Sequence, residues 1–277
     1  MKPAPFAYER PRDLPAALAA MAGDGVVKII AGGQSLGPML NLRLVAPDLI
    51  VDIAGLAELK HVERVGDDLV IGACVTHADI EDGRIPDVTS GAMQRVASAI
   101  AYRAVRNRGT IGGSLSHADP SADWVSALSA LGAVLTLRSA AGVRQVAMKD
   151  FIVGALESVL QPGEMITAVR VPVMPASARW GYVKACRKTG EFAHAIGAVL
   201  IDPDAGRARI VIGAVEAAPI VIDEAADLFG GRIDSDFGKK FDPRVADRLL
   251  SNAGITDAAD RHIHIAVLRK AVAEAAA

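Results

Sequence analysis

A buried strand that ends without a spacer sets the terms on which this chain can fold. Val26 to Ala31 (VVKIIA) is a short, mostly apolar run of strand length. It passes directly into Gly32-Gly33-Gln34-Ser35-Leu36-Gly37-Pro38, so the chain must bend where two consecutive residues lack side chains. Upstream, Asp13 stands where a helix N-cap would, with Pro15 in the first turn. Leu14, Ala17, Leu18 and Met21 then recur at helical spacing, and Gly23 stops the run. Downstream, Leu49 to Ile53 (LIVDI) reads as a second strand. Roughly the first 55 residues therefore form a small βαβ-like unit.

The same alternation continues. Leu69 to Ala73 is a strand, Thr76 can cap a short helix through Ile80, and a helix containing Gly91 is expected over Val88 to Ala101. A second glycine-rich loop, Arg108-Gly109-Thr110-Ile111-Gly112-Gly113-Ser114, follows. Asp119-Pro120 is read as opening a helix with an apolar face of Trp124, Val125, Leu128 and Leu131. Ala133 to Arg138 and Val143 to Met148 flank Ser139-Ala140-Ala141-Gly142 as a hairpin, and Met165 to Val171 is a further strand. Pro172 and Pro175 mark a boundary. Beyond it come strands at Gly181 to Cys186, Ala195 to Ile201 and Ala208 to Val215, the last two joined by the turn Asp202-Pro203-Asp204-Ala205-Gly206. Helices are expected at Asp223 to Phe229, Pro243 to Asn252 and Asp257 to Ala276, on one face of a three-stranded antiparallel sheet.

Composition removes several classes of function. The chain has 277 residues, 51% of them hydrophobic and 22% charged, so it can bury a core without staples. A net charge of −2 argues against non-specific binding of nucleic acid. Two cysteines, Cys74 and Cys186, lie far apart in apolar runs and suit a reducing, cytoplasmic setting. The N-terminal residues carry no signal-peptide pattern, and no apolar stretch is long enough to span a membrane. His61, His77, His117, His194, His262 and His264 show no zinc spacing, so no metal site is expected.

The two glycine loops carry the chemistry. Side-chain-poor bends let backbone N–H groups converge on an anion, although a lone Gly-Gly is more often just a tight turn. The second loop adds hydroxyls, then Asp119 and Asp123. A carboxylate suits ribose hydroxyls, but Asp119 fits equally well as an N-cap and Asp123 as a solvated helix residue. His77 and His117 lie beside the loops and are candidates to touch a ligand. Neither G-x-x-x-x-G-K-[ST] nor G-x-G-x-x-G is present, so a P-loop and a Rossmann site are excluded. A two-loop clamp on a pyrophosphate is left.

With AGGQSLGP near residue 31, TIGGSLSHADPSAD near residue 110 and KACRKTGEFAHA from Lys184, the chain resembles the FAD-binding (medium) subunit of the xanthine dehydrogenase and carbon monoxide dehydrogenase family of molybdenum hydroxylases. The resemblance implies an α+β fold. A PCMH-type, vanillyl-alcohol-oxidase-like FAD-binding domain in two parts, 1–56 and 57–172, would precede a sheet-and-helix domain at 173–277. By position, Ile29, Ile30, Ala31, Gly32, Gly33, Gln34, Ser35 and Leu36 would wrap the FAD pyrophosphate from one side. Thr110, Ile111, Gly112, Gly113 and Ser114 would wrap it from the other. Asp123 would hold a ribose or ribityl hydroxyl, with His117 and Asp119 nearby. Ile100, Ile166, Lys184 and Phe192 would approach the flavin. Many relatives carry Asn where Ser114 stands, so its contact would be shorter or bridged by water. The flavin does the redox chemistry, so no catalytic side chain is nominated. Electrons would come from a small [2Fe–2S] subunit fed by a large molybdopterin-binding subunit, in a dimer of heterotrimers, and leave to an external acceptor. Two cysteines cannot hold such clusters in this chain.

Other readings compete. Gly33-Gln34-Ser35-Leu36-Gly37 matches the G-x-S-x-G nucleophile elbow, which would make Ser35 a hydrolase nucleophile served by His194 or His262. A free-standing flavin reductase and an adaptor that has lost FAD are further alternatives. The basic run Tyr102 to Arg108 is a solvated face, an offset for phosphate charge or a docking point for a partner.

Overall fold

The computed structural model describes residues 2–277. Three sheets of three or more strands follow one another along the chain. The first contains β1 (Ala7–Glu9), β2 (Val27–Ile30) and β3 (Leu49–Asp52), with α1 (Leu14–Met21) and α2 (Leu36–Asn41) in the connections. β3 lies between β1 and β2, parallel to both. Asp13 caps α1 by accepting the Ala16 N–H at 2.8 Å, as the sequence implies. Leu14, Ala17, Leu18 and Met21 face a small core with Val51, Ile53, Leu59 and Met165.

The second sheet is antiparallel throughout. Its order is β4-β5-β10-β6-β7, from β4 (Val62–Val65), β5 (Asp68–Gly72), β6 (Val134–Ser139), β7 (Gly142–Ala147) and β10 (Met165–Pro172). Between β5 and β6 run five helices: α3 (His77–Glu81), α4 (Ala92–Ser98), α5 (Arg103–Arg106), α6 (Ile111–His117) and α7 (Asp123–Leu131). The short pair β8 (Ile152–Gly154) and β9 (Glu157–Ser158) precedes β10. Thr76 caps α3 in a reciprocal box with Asp79. α7 is buried on every side, with Trp124 fully enclosed.

The last sheet has four strands: β11 (Arg179–Ala185), β12 (Ala195–Asp202), β13 (Arg207–Gly213) and β14 (Ile220–Ile222). Three helices follow: α8 (Phe237–Lys240), α9 (Pro243–Asn252) and α10 (Ala258–Ala276). The three-stranded expectation is corrected by β14, a three-residue edge strand pairing with Ile210 to Ile212. So short a segment after Pro219 gives no periodicity to read. Asp223 to Phe229 is not a helix but a single 3-10 turn over Ala226–Phe229. The expectation of helices on one face is also incomplete. α10 covers one face, and α7 from the middle of the chain packs on β12 and β13. Double coverage explains why β12 reads as a continuous apolar run. Among the described residues, no helix is long and apolar enough to cross a membrane.

Candidate functional site

The two glycine bends meet. Gly32 packs so tightly on the backbone of Arg108 and Gly109 that an added Cβ would fall on the Arg108 carbonyl oxygen. The Arg108 guanidinium returns a 3.3 Å hydrogen bond from Nε to the Gly32 carbonyl. Gly33 takes the left-handed conformation, φ +73°, that turns the chain from β2 into α2. Close approach at one glycine and positive φ at the next account for the pair.

A cleft of about 550 Å³ opens where they join, within the range of small-molecule sites. It is lined by Ile29 to Leu36, by Thr110, Gly112, Gly113 and Ser114, and by Ile100, His117, Asp119, Asp123, Ile166 and Phe192. His77 also lines it. Two expected residues do not. Ile111 is fully buried, because the second glycine segment is not a loop: it is the first turn of α6, and helical geometry sends Ile111 into the core. Lys184 is held short of the cleft by the acceptors it meets first, Asp123 at 2.9 Å and the Ala99 carbonyl at 2.8 Å.

The backbone donors are distributed unevenly between the bends. In α6 the Ile111 and Gly112 amides donate to the Val75 and Ala73 carbonyls at 3.0 and 2.9 Å. The Gly113 amide donates to the Thr110 hydroxyl at 3.1 Å, and the Ser114 amide to the Thr110 carbonyl at 3.0 Å. Gly112 is needed for packing, since a Cβ there would lie 2.5 Å from that of Ala73. In the first bend the amides of Gly32, Gly33, Gln34, Ser35 and Leu36 have no acceptor among the described residues. The amides available to an anion therefore come from the first bend, while the second contributes hydroxyls and a close wall.

Asp119 does not cap the next helix. Its carboxylate accepts the Ser121 N–H at 2.8 Å in a turn around Pro120, and α7 begins at Asp123 behind Ala122. Asp123 is 8% exposed and accepts a 2.8 Å hydrogen bond from the Tyr182 hydroxyl. Burial pushes its carboxyl above the usual range, against the opposing pull of Lys184 and Tyr182. His77, 4% exposed, accepts the Trp124 indole N–H on Nδ1 at 3.1 Å. Burial, with a smaller effect of Arg106, brings its imidazole down to about 4.

Within the basic run Arg103 and Arg106 are paired with carboxylates, while the Arg108 side chain makes only its bond to the Gly32 carbonyl among the described residues. Arg103 binds Glu81 and Asp82, and Arg106 binds Glu81 and the carbonyls of Ile100 and Ala101. Ser35 does not form a nucleophile elbow: its φ is −106°, an ordinary value, and no histidine is hydrogen-bonded to it among the described residues. Sequence reasoning missed the wall from Leu160 to Met165. Its signal was the Pro162-Gly163 turn, and Arg144 fixes it through two 2.7 Å contacts with Glu164.

Residues 4–174 match the family model described as the FAD binding domain in molybdopterin dehydrogenase. The chain is 36% identical over 225 residues to the caffeine dehydrogenase subunit beta of Pseudomonas sp. (strain CBB1), covering 79% of this chain and 76% of that protein. It is 33% identical over 240 residues to the carbon monoxide dehydrogenase medium chain of Afipia carboxidovorans, covering 83% and 82%. Among solved structures, quinoline 2-oxidoreductase from Pseudomonas putida 86 superposes with a TM-score of 0.86 at 32% identity, covering 100% of this chain and 98% of that one. On the matched domain and these relatives, the chain belongs to the family of FAD-binding subunits of molybdenum-containing dehydrogenases.

Proposed function

We propose that this chain passes electrons through FAD, from [2Fe–2S] clusters on a small partner subunit to an external acceptor. A large molybdopterin-binding subunit would supply those electrons by oxidising substrate, and the complex would be a dimer of heterotrimers. FAD supplies the redox chemistry, including the step between single electrons and electron pairs. The chain itself binds, orients and encloses it, in a PCMH-type arrangement of parts 1–56 and 57–172 backed by 173–277.

One observation carries the cofactor reading. Five successive residues whose backbone amides lack an acceptor, Gly32 to Leu36, line a cleft at the point where the second glycine segment closes against the first. Such a row of N–H groups suits the two phosphates of a dinucleotide without a lysine. Thr110 and Ser114 add hydroxyls on the opposite wall, and the Ser114 hydroxyl is shorter than the Asn of many relatives, leaving room for a water. Ile111 contributes by packing, and Gly112 lines the cleft while letting α6 approach Ala73. Asp123 accepts from a sugar or ribityl hydroxyl, with His117 and Asp119 on the same side. Ile100 and Ile166 form apolar walls for the ring system. Phe192, 66% exposed at the edge of the cleft, covers the ring from solvent.

The test is native purification of the tagged chain from cells expressing its neighbouring genes. The expected result is a yellow complex with FAD, a larger molybdenum-containing subunit and a smaller iron–sulphur subunit, in which substrate bleaches the flavin. A colourless chain overturns the cofactor assignment. A yellow chain that isolates alone overturns the partnership.

A further inference from the structure

Ala99 to Tyr102 link α4 to α5, and the middle two residues, Ile100 and Ala101, line the cleft. Ala101 takes φ +42°, in the left-handed region that a residue with a Cβ disfavours. The turn is held from behind by Arg106, whose side chain is 12% exposed and does not line the cleft. Its Nη1 donates to the Ile100 and Ala101 carbonyls at 2.9 and 3.0 Å. Its Nε and Nη2 donate to the two Glu81 carboxylate oxygens at 2.7 and 2.9 Å. Four of its five guanidinium protons are therefore committed inside the protein. A cation so enclosed is not available to solvent, to a phosphate or to a docking partner.

We propose that Arg106 is a positioning residue for the flavin, clamping the Ile100–Ala101 turn as one wall of its pocket. The proposal rests on the reading that the cleft holds FAD. A planar guanidinium can span a carboxylate and two carbonyls at fixed angles, which the point charge of an ammonium cannot. Glu81 anchors the far end of the fork on α3, whose start is locked by the Thr76–Asp79 box. Arg103 reinforces that anchor from outside, pairing with Glu81 at 2.9 Å and Asp82 at 2.6 Å. Its side chain makes no hydrogen bond to the Ile100 or Ala101 carbonyl among the described residues. The turn also seats the rim of the cleft. Gly190, at φ +88°, packs so closely that an added Cβ would lie 2.9 Å from the Ala101 carbonyl oxygen. Gly190, Glu191 and Phe192 all line the cleft. Without Arg106 the two carbonyls would turn to water and Ala101 would relax from positive φ. Only a fraction of molecules would then present the wall, and apparent affinity falls by that fraction.

The experiment uses the tagged chain purified with its neighbouring gene products. The parent is compared with Arg106→Met, with Arg106→Met combined with Ala101→Gly, and with Arg103→Gln. Each is stripped of flavin, titrated with FAD and scanned for the fine structure of the bound flavin's absorption band, with a thermal melt to establish folding. Arg106→Met leaves Glu81 paired with Arg103. It is expected to weaken FAD by about tenfold, the scale of hydrogen bonds from a charged group, and to blur the flavin band. Adding Ala101→Gly should regain at least about threefold, because glycine holds positive φ without a clamp. Arg103→Gln should melt lower than the parent yet bind FAD as the parent does. Parent-like binding by Arg106→Met, no gain from Ala101→Gly, or an equal loss in Arg103→Gln overturns the proposal while FAD binding by the parent stands. A parent that takes up no FAD overturns the cofactor reading as well.

Discussion

Gly32 and Gly33 are neighbours with different duties, and the difference decides what substitution does. Gly32 is excluded from having a side chain by the Arg108 backbone, Gly33 by its own φ. A third residue of this region, His77, is a ligand candidate in the sequence, but its burial is legible only in the structure. It was one of six scattered histidines, and its enclosure depends on Trp124, 47 positions away. Its pKa fixes a sign. Above about pH 6.5 it is neutral folded and unfolded. Between that value and about 4 only the unfolded chain takes the proton, so stability falls as pH falls. The full loss is about 3 kcal/mol. His77→Asn keeps an acceptor for the indole but cannot titrate. Urea unfolding at stepped pH should show the parent losing stability on acidification more steeply than His77→Asn. Parallel slopes would contradict the assignment.

At the scale of elements, strands and long helices followed from pattern. α9 spans Pro243–Asn252 as expected, α10 begins one residue after its Asp257 cap, and the hairpin of β6 and β7 turns where the sequence indicates. The strands that pattern did not reveal share a physical cause, which is length. β1, β4 and β14 have only three or four residues and owe their existence to a neighbouring strand. Glycine disfavours helices, so the second glycine segment reads as a loop in the sequence. Tertiary packing overrode that preference, since only glycine lets α6 approach Ala73. The same logic governs α10. Gly181 and Gly197 form a flat strip on β11 and β12, and a Cβ on Gly181 would meet the Ala271 carbonyl oxygen in mid-helix. Gly181→Ala should therefore destabilise the chain by about 1–3 kcal/mol through displacement of α10. Denaturant melts followed by circular dichroism check this, and a neutral effect would mean that the helix can slide without cost.

For the whole molecule, the site is an assembly of distant segments. The first bend, the start of α6 and the Leu160 wall come together around one cleft, and the last sheet reaches it through Asp123. Sequence motifs located the bends, and eighteen of the twenty residues named from sequence line that cleft. The exceptions, Ile111 and Lys184, turn on side-chain direction, which spacing does not carry. Motif reading assigns amides to both bends, whereas bonds to Ala73, Val75 and Thr110 occupy those at the start of α6 and leave the first bend to supply them. On the proposed reading that asymmetry makes the diphosphate the decisive part of the ligand, and FMN, which ends in a single phosphate, the natural comparison. The most direct measurement is equilibrium titration of flavin-stripped protein with FAD and with FMN, on the parent and on Gly33→Val. The parent should bind FAD at least about a hundredfold more tightly than FMN, equivalent to about 3 kcal/mol, and Gly33→Val should abolish that preference. Equal affinity for the two flavins, or an undiminished preference in Gly33→Val, would contradict a diphosphate grip by the Gly32 to Leu36 amides.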